Sequence, residues 1–293
     1  MTDVSFSFLN MSIAETNGID SKKTNPNPFN KLPTALIVEF FSYLNLSTLG
    51  TTCCVSKEWK LLASKDRLWK KAIFDELAFG NKQWAQCFGK EIIEMEDSTE
   101  EFSSLPLDIV ENYKRFHHAF PKKNTKDSLM LVRLPKTLNG QLTLKSFGEL
   151  AKQYFPKNVS GYVDISADIV NTFGDKSIDK SRWVLMTTDV IPGSSNQNYA
   201  VQQEIVADLA KKGLIGFEVP ETLEATVCIL AQYFKSRKRL FSDDANPTWI
   251  RCRENVEDIQ VTVRFCKPGL NIRSIFSKDQ ADESFCVAAL QKL

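Results

Sequence analysis

Chemistry needs reactive groups brought within hydrogen-bond reach, and this 293-residue chain offers few of them. Histidine occurs only at His117 and His118. A thiol or hydroxyl nucleophile needs a base within about 3 Å. A Cys-His or Ser-His pair would therefore require Cys228, Cys252, Cys266 or Cys286 to fold back onto that one dipeptide. Free cysteines are more often small buried hydrophobes. Zinc needs thiolates and imidazoles clustered at short spacing, and the seven cysteines (Cys53, Cys54, Cys87, Cys228, Cys252, Cys266 and Cys286) include no CxxC pair. The sequence predicts no catalytic group, no metal and no cofactor.

Two further segments have a binding reading beside a structural one. Asp189-Val190-Ile191-Pro192-Gly193-Ser194-Ser195-Asn196 lies between an expected strand and an expected helix, where open α/β sheets bind ligands. Its loop N–H groups and the following helix terminus could hold an anion or a peptide. One glycine and no following lysine favour a Pro-Gly turn instead. Lys235-Ser236-Arg237-Lys238-Arg239 is the densest basic cluster, at the end of an expected helix, where cations complement the dipole. Its other reading is a docking patch for an acidic partner. Trp183 and Trp249 are expected in the core.

The elements that would position such groups are those of an ordinary folded chain, with 43% hydrophobic and 25% charged residues. Thirty-seven basic and 36 acidic side chains leave a net charge of +1, which gives no excess to attract nucleic acid or an acidic membrane. The longest uncharged stretch, 40–56, is too short and too polar for the roughly 20 apolar residues that span a bilayer. An odd, scattered set of cysteines predicts a reducing compartment. The length predicts more than one domain.

Residues 1–27 read as a flexible leader, polar and ending in Asn25-Pro26-Asn27-Pro28. Residues 28–75 turn helical, with Leu32, Leu36, Phe40 and Leu44 four apart on one face and Pro33 in the first turn. Ala35, Ile37, Val38 and Phe41 fill the other faces, so this helix must be covered on two sides. Further helices are expected to start at Ser47, Ser56 and Asp66, each with a side-chain oxygen to cap them. Residues 76–127 are expected to be a helical connector whose acidic run Glu91, Glu94, Glu96, Asp97, Glu100 and Glu101 marks a solvated face. Residues 128–293 read as a mixed α/β domain. Strands are predicted at Leu129–Leu134, Trp183–Thr187 and Ile215–Val219, with a strand pair at Gln260–Phe265 and Leu270–Phe276. Helices are predicted at Leu144–Phe155, Tyr199–Lys211 and Glu221–Phe234. The expected class is α+β.

A unit of about 50 residues rarely generates enough core to shield every face of such a helix. Either the C-terminal domain or another chain must cover it, and periodicity does not choose. Leu32-Pro33-x-x-Leu36-Ile37, Tyr43-Leu44, Leu49, Val55-x-Lys57-x-Trp59-Lys60-x-Leu62-Ala63 and Leu68-Trp69 resemble the F-box pattern without a gap. The chain departs from it at Thr34, Thr48 and Ser56, polar changes near helix starts that leave the apolar set intact. The resemblance implies docking on the Skp-type adaptor of an SCF cullin ubiquitin ligase, while the other domain recruits a protein substrate. The implied adaptor-binding residues are Leu32, Pro33, Leu36, Ile37, Phe40, Leu44, Leu49, Val55, Trp59, Leu62 and Trp69, with Val55 and Trp59 shared between contact and internal packing. The remainder is similar to F-box proteins of chlamydia-related endosymbionts of amoebae, in Trp84–Lys90, Leu134–Gly140, Lys180–Met186 and Val219–Ala225. That similarity implies a bacterial effector delivered into the host cytoplasm and acting on host ubiquitination. Two alternatives are an F-box-targeted enzyme and an adaptor-sequestering inhibitor.

Overall fold

A computed structural model describes residues 32–89, 102–106, 108–120, 128–155, 162–241, 248–266 and 269–293. The expected leader and the acidic run 91–101 lie outside the described residues.

The chain is α+β. Four short helices come first: α1 (Thr34–Phe41), α2 (Leu46–Thr52), α3 (Lys57–Ala63) and α4 (Asp66–Leu77). Ser56 caps α3 as expected, its Oγ accepting from Trp59 N at 3.1 Å. Asn45, not Ser47, caps α2, its Oδ1 accepting from Thr48 N at 2.8 Å. Asparagine is as good a cap as serine, and the earlier start brings Leu46 into the helix and the core. Asp66 is not a cap but the first residue of α4 after Lys65, where its charge favours the positive helix end.

Helix α4 runs straight into β1 (Ala78–Phe79), which pairs in parallel with β2 (Leu129–Leu134) through Ala78↔Leu131 and Phe79↔Val132. Next, α5 (Asn81–Phe88) buries Trp84 completely, its Nε1 donating to Arg133 O at 2.8 Å. Within the stretch expected to be a connector, 76–127, the described residues therefore supply a strand and a core aromatic. The apolar side chains of Ala78, Phe79 and Trp84 gain more from burial than from bridging two units through solvent. Helix α6 (Ile109–Ala119) closes this part.

Two five-stranded sheets follow. Sheet one has the order β1-β2-β4-β10-β5, with β4 at Arg182–Thr187, β5 at Phe217–Glu218 and β10 at Leu290–Lys292. Sheet two has the order β3-β8-β7-β6-β9, with β3 at Tyr162–Ile165, β6 at Trp249–Val256, β7 at Ile259–Cys266, β8 at Gly269–Ser277 and β9 at Phe285–Cys286. The expected strand pair is the antiparallel β7–β8 hairpin, in register Val263↔Ile272. The helices here are α7 (Leu144–Tyr154), α8 (Ala167–Phe173), α9 (Tyr199–Ala207) and α10 (Thr222–Ser236).

The layering follows from side-chain alternation. Helix α10 is buried on nearly all sides, as an all-round apolar helix must be. It packs on Met130, Val132, Val184 and Met186 of sheet one and on Val261, Val263 and Phe265 of sheet two. The alternate residues of sheet one, Leu129, Leu131, Trp183 and Leu185, share a second core with Phe41, Leu49, Ile73 and Leu77 of the N-terminal helices and with Ile109 and Tyr113 of α6. The order is N-terminal helices, sheet one, α10, sheet two. Lys235, first of the basic cluster, fastens the first and third layers by donating from Nζ to Glu76 O at 2.5 Å, at the end of α4. The Glu76 carboxylate accepts in turn from Leu46 N at the start of α2. Arg237 lies 5.3 Å from the Tyr154 ring and 5.6 Å from that of Tyr233.

Candidate functional site

The first helix decides which apolar groups stay outside. Leu36 N and Ile37 N donate to Pro33 O at 2.9 and 3.2 Å, so Pro33 opens α1 as the residue before its first turn, where its missing N–H costs nothing. From there the four-residue spacing divides two rows. Ile37 and Phe41 turn inward and are buried, with Phe41 edge-on to Trp59 at 5.3 Å. Leu36 and Phe40 turn outward and remain 50% and 52% exposed, continuing the row begun by Leu32. Helix α3 packs on the inner row, whose side chains join the core that extends to sheet one, and the outer row is left open. Burying a leucine or phenylalanine completely is worth about 1.5–3 kcal/mol, so half-exposed side chains in a row hold much of that in reserve.

The eleven residues implied by the resemblance fall into three groups. Leu32, Pro33, Leu36, Phe40 and Val55 are exposed. Leu44, Trp59, Leu62 and Trp69 are half-buried and pack against the shared core. Trp69 Nε1 donates to Ala63 O at 2.9 Å, and the Lys114 ammonium lies 5.6 Å from its ring, so Trp69 clamps α3 to α4 and α6. Ile37 and Leu49 are buried in the chain's own core. Both were expected at the docking face, but they join the chain's own core on the sides of α1 and α2 turned toward the neighbouring helices α3 and α4, and their part is to fix the outer row. Two exposed residues outside the implied set join the surface: Tyr43, at 77%, and Leu61, at 74%. Leu61 falls with Lys57 and Glu58 on the solvent side of α3. That spacing was the available signal.

The segment 189–196 does not form an anion cradle. Its groups bond within the chain: Ile191 N donates to Val287 O, Val190 N to the Asp189 carboxylate, and Ser195 Oγ to Glu283 O. Gly193 takes the left-handed conformation the turn needs, with φ at 83°. The start of α9 is capped by Asn198, whose Oδ1 accepts from Val201 N at 3.0 Å. The cavity beside it, lined by Phe116, Phe120, Thr187 and Pro192, has about 10 Å³, room for roughly one water. Burial pushes the Cys228 and Cys252 thiols well above their ordinary value, the opposite of an activated nucleophile. Among the described residues no cluster of His, Cys, Asp or Glu is placed to hold a metal, and no helix is long and apolar enough to cross a membrane.

No curated protein and no solved structure matches the chain. A family model does match, over the stretch that holds the helices and the exposed row just described. Residues 29–75 form an F-box-like domain.

Proposed function

We propose that the chain is a substrate-receptor subunit: its outer α1 row binds the Skp-type adaptor of an SCF cullin ubiquitin ligase, and the domain built on the two sheets recruits a target protein. F-box domains in general bind Skp-type adaptors, and the family match at 29–75 supports the same partner here. The observation that carries the reading is the open row Leu32, Leu36 and Phe40 on a helix whose other side is already covered. Helix-in-groove recognition uses anchors one turn apart, as Leu36 and Phe40 of α1 are, with Leu32 just before the helix. Exposed Lys57 and Lys60 on the neighbouring helix α3 add positive charge that would steer an acidic partner.

Co-expression with a eukaryotic Skp-type adaptor yields an equimolar complex on this reading. Leu36→Asp combined with Phe40→Asp abolishes it, since each substitution buries an unpaired charge at a cost of several kcal/mol. A complex of unchanged stability in the double variant overturns the reading. The resemblance read in the sequence at 84–90, 134–140, 180–186 and 219–225, which no match to a curated protein supports, would extend the proposal to an effector acting on host ubiquitination. Ubiquitin transfer to a recruited target in a reconstituted cullin assay supports recruitment. Inhibition of a second F-box protein in that assay, without transfer, supports adaptor sequestration instead.

A further inference from the structure

Four of the large apolar side chains left exposed among the described residues, Leu32, Leu36, Phe40 and Tyr43, follow one another at spacings of four, four and three. Helix α1 beneath them carries a single charged residue, Glu39. The row begins at Leu32, so the chain passes directly from it into residues 1–31.

That preceding stretch is polar as a whole, but its apolar side chains are gathered in one place. Val4, Phe6, Phe8, Leu9, Met11 and Ile13 fall within ten residues that hold no charged side chain. Residues 14–31 join this run to the row. Two uncharged apolar surfaces on one chain both gain by leaving water.

We propose that residues 4–13 lie on the outer α1 row of their own chain when no adaptor is bound. The contact itself stands on the row and the run; its consequence, that the adaptor must displace the segment, rests on the docking reading. Reach allows it. Eighteen linking residues span roughly 23 Å even as a random coil, against about 12 Å from Leu32 to Phe40 at helical rise. Size favours a tethered occupant over a second copy. Four partly exposed side chains offer on the order of 400 Å², about half of the ~800 Å² per partner that a stable interface buries. A segment on a short tether meets the row at an effective concentration near the millimolar range, so a small contact is enough to hold it. An adaptor then sees only the uncovered fraction of the chain, and its apparent affinity falls by that fraction.

Photocrosslinking of the full chain tests this. With p-benzoylphenylalanine in place of Phe40, irradiation without adaptor is expected to join position 40 to the tryptic peptide 1–22. Mixing with isotope-labelled chain is expected to show that the link forms within one molecule. Phe6→Ser, Phe8→Ser and Leu9→Ser together are expected to remove the link, leave the melting temperature unchanged and tighten adaptor binding about fivefold or more in calorimetric titration. Leu36 carries the crosslinker in a second variant should the first fold poorly. A link to any other part of the chain, a link between two copies, or equal adaptor affinity for wild type and the triple variant overturns the proposal. If the link to 1–22 forms and is lost in the triple variant while no variant binds the adaptor, the contact stands and the docking reading fails.

Discussion

The F-box face and the outer face of sheet two are the two ends of one layered core, and they present opposite chemistry. On α1 the open groups are aliphatic and aromatic, with no cation among Leu32, Leu36 and Phe40. On sheet two the strand face is largely closed, with Arg251 and Thr262 fully buried and Arg264 set 4.4 Å from the Trp249 ring. The difference is between an exposed apolar row and a polar face that the chain itself covers. An apolar row left in water gains by being buried against another surface, whereas a face already buried has little left to gain. Between them the chain is continuous core, because sheet one is buried on both faces.

The largest effect expected breaks the comparison in the middle. Trp183 lies in sheet one against the N-terminal helices, edge-on to Phe74 at 5.7 Å. Trp183→Ala should cost about 3–5 kcal/mol and lower the stability of helices and sheets together, in one cooperative transition by chemical denaturation. Two separate transitions would show that the F-box helices fold on their own.

Next is the charge clamp at the start of α10. Glu224 is fully buried and held by Arg182 at 2.8 Å and Lys292 at 3.3 Å. Arg182→Met leaves that carboxylate short of a partner, at a cost of roughly 3 kcal/mol, read from the denaturation midpoint. The same clamp gives a pH signature. Burial raises the Glu221 pKa, but the hydrogen bond from Lys176 and the charges of Lys292 and Arg253 outweigh it and leave the carboxyl below its ordinary 4.5. Its contribution is present above 4.5 and is lost as pH falls through the lower folded value. For Lys292, burial is outweighed by the hydrogen bond to Glu218 and the charges of Glu224 and Glu221, so its pKa rises above 10.5. That contribution is present below 10.5 and is lost as pH rises through the folded value. Lys292→Met should remove the alkaline loss and weaken the acid one in a stability–pH profile. The smallest effect is on Lys71, exposed and paired with Asp75 at 2.5 Å, where Lys71→Met should change the stability read by chemical denaturation by no more than about 0.5 kcal/mol.

The F-box helices were legible because their signals are local: four-residue apolar spacing, Pro33 before a first turn, Ser56 as a cap, and Trp59 with Trp69 at family spacing. The hairpin β7–β8 was legible for the same reason. Which side of α1 would be covered was not, since Ile37 and Phe41 differ from Leu36 and Phe40 only in the side from which α3 packs on them. Edge strands of two or three residues, β1, β5, β9 and β10, are too short to show a period. Strand β6 did alternate, with Ile250 and Cys252 inward and Trp249 and Arg251 outward, but a buried arginine runs against the usual reading of charge as surface.

The most direct test of the central claim is calorimetric titration of the full chain with a eukaryotic Skp-type adaptor, paired with thermal unfolding of the same samples. The outer row should govern affinity and the inner row stability. Leu36→Asp with Phe40→Asp should eliminate the binding heat while leaving the melting temperature nearly unchanged, and Ile37→Ala should lower the melting temperature. Equal affinity for the wild type and the double variant would contradict the account.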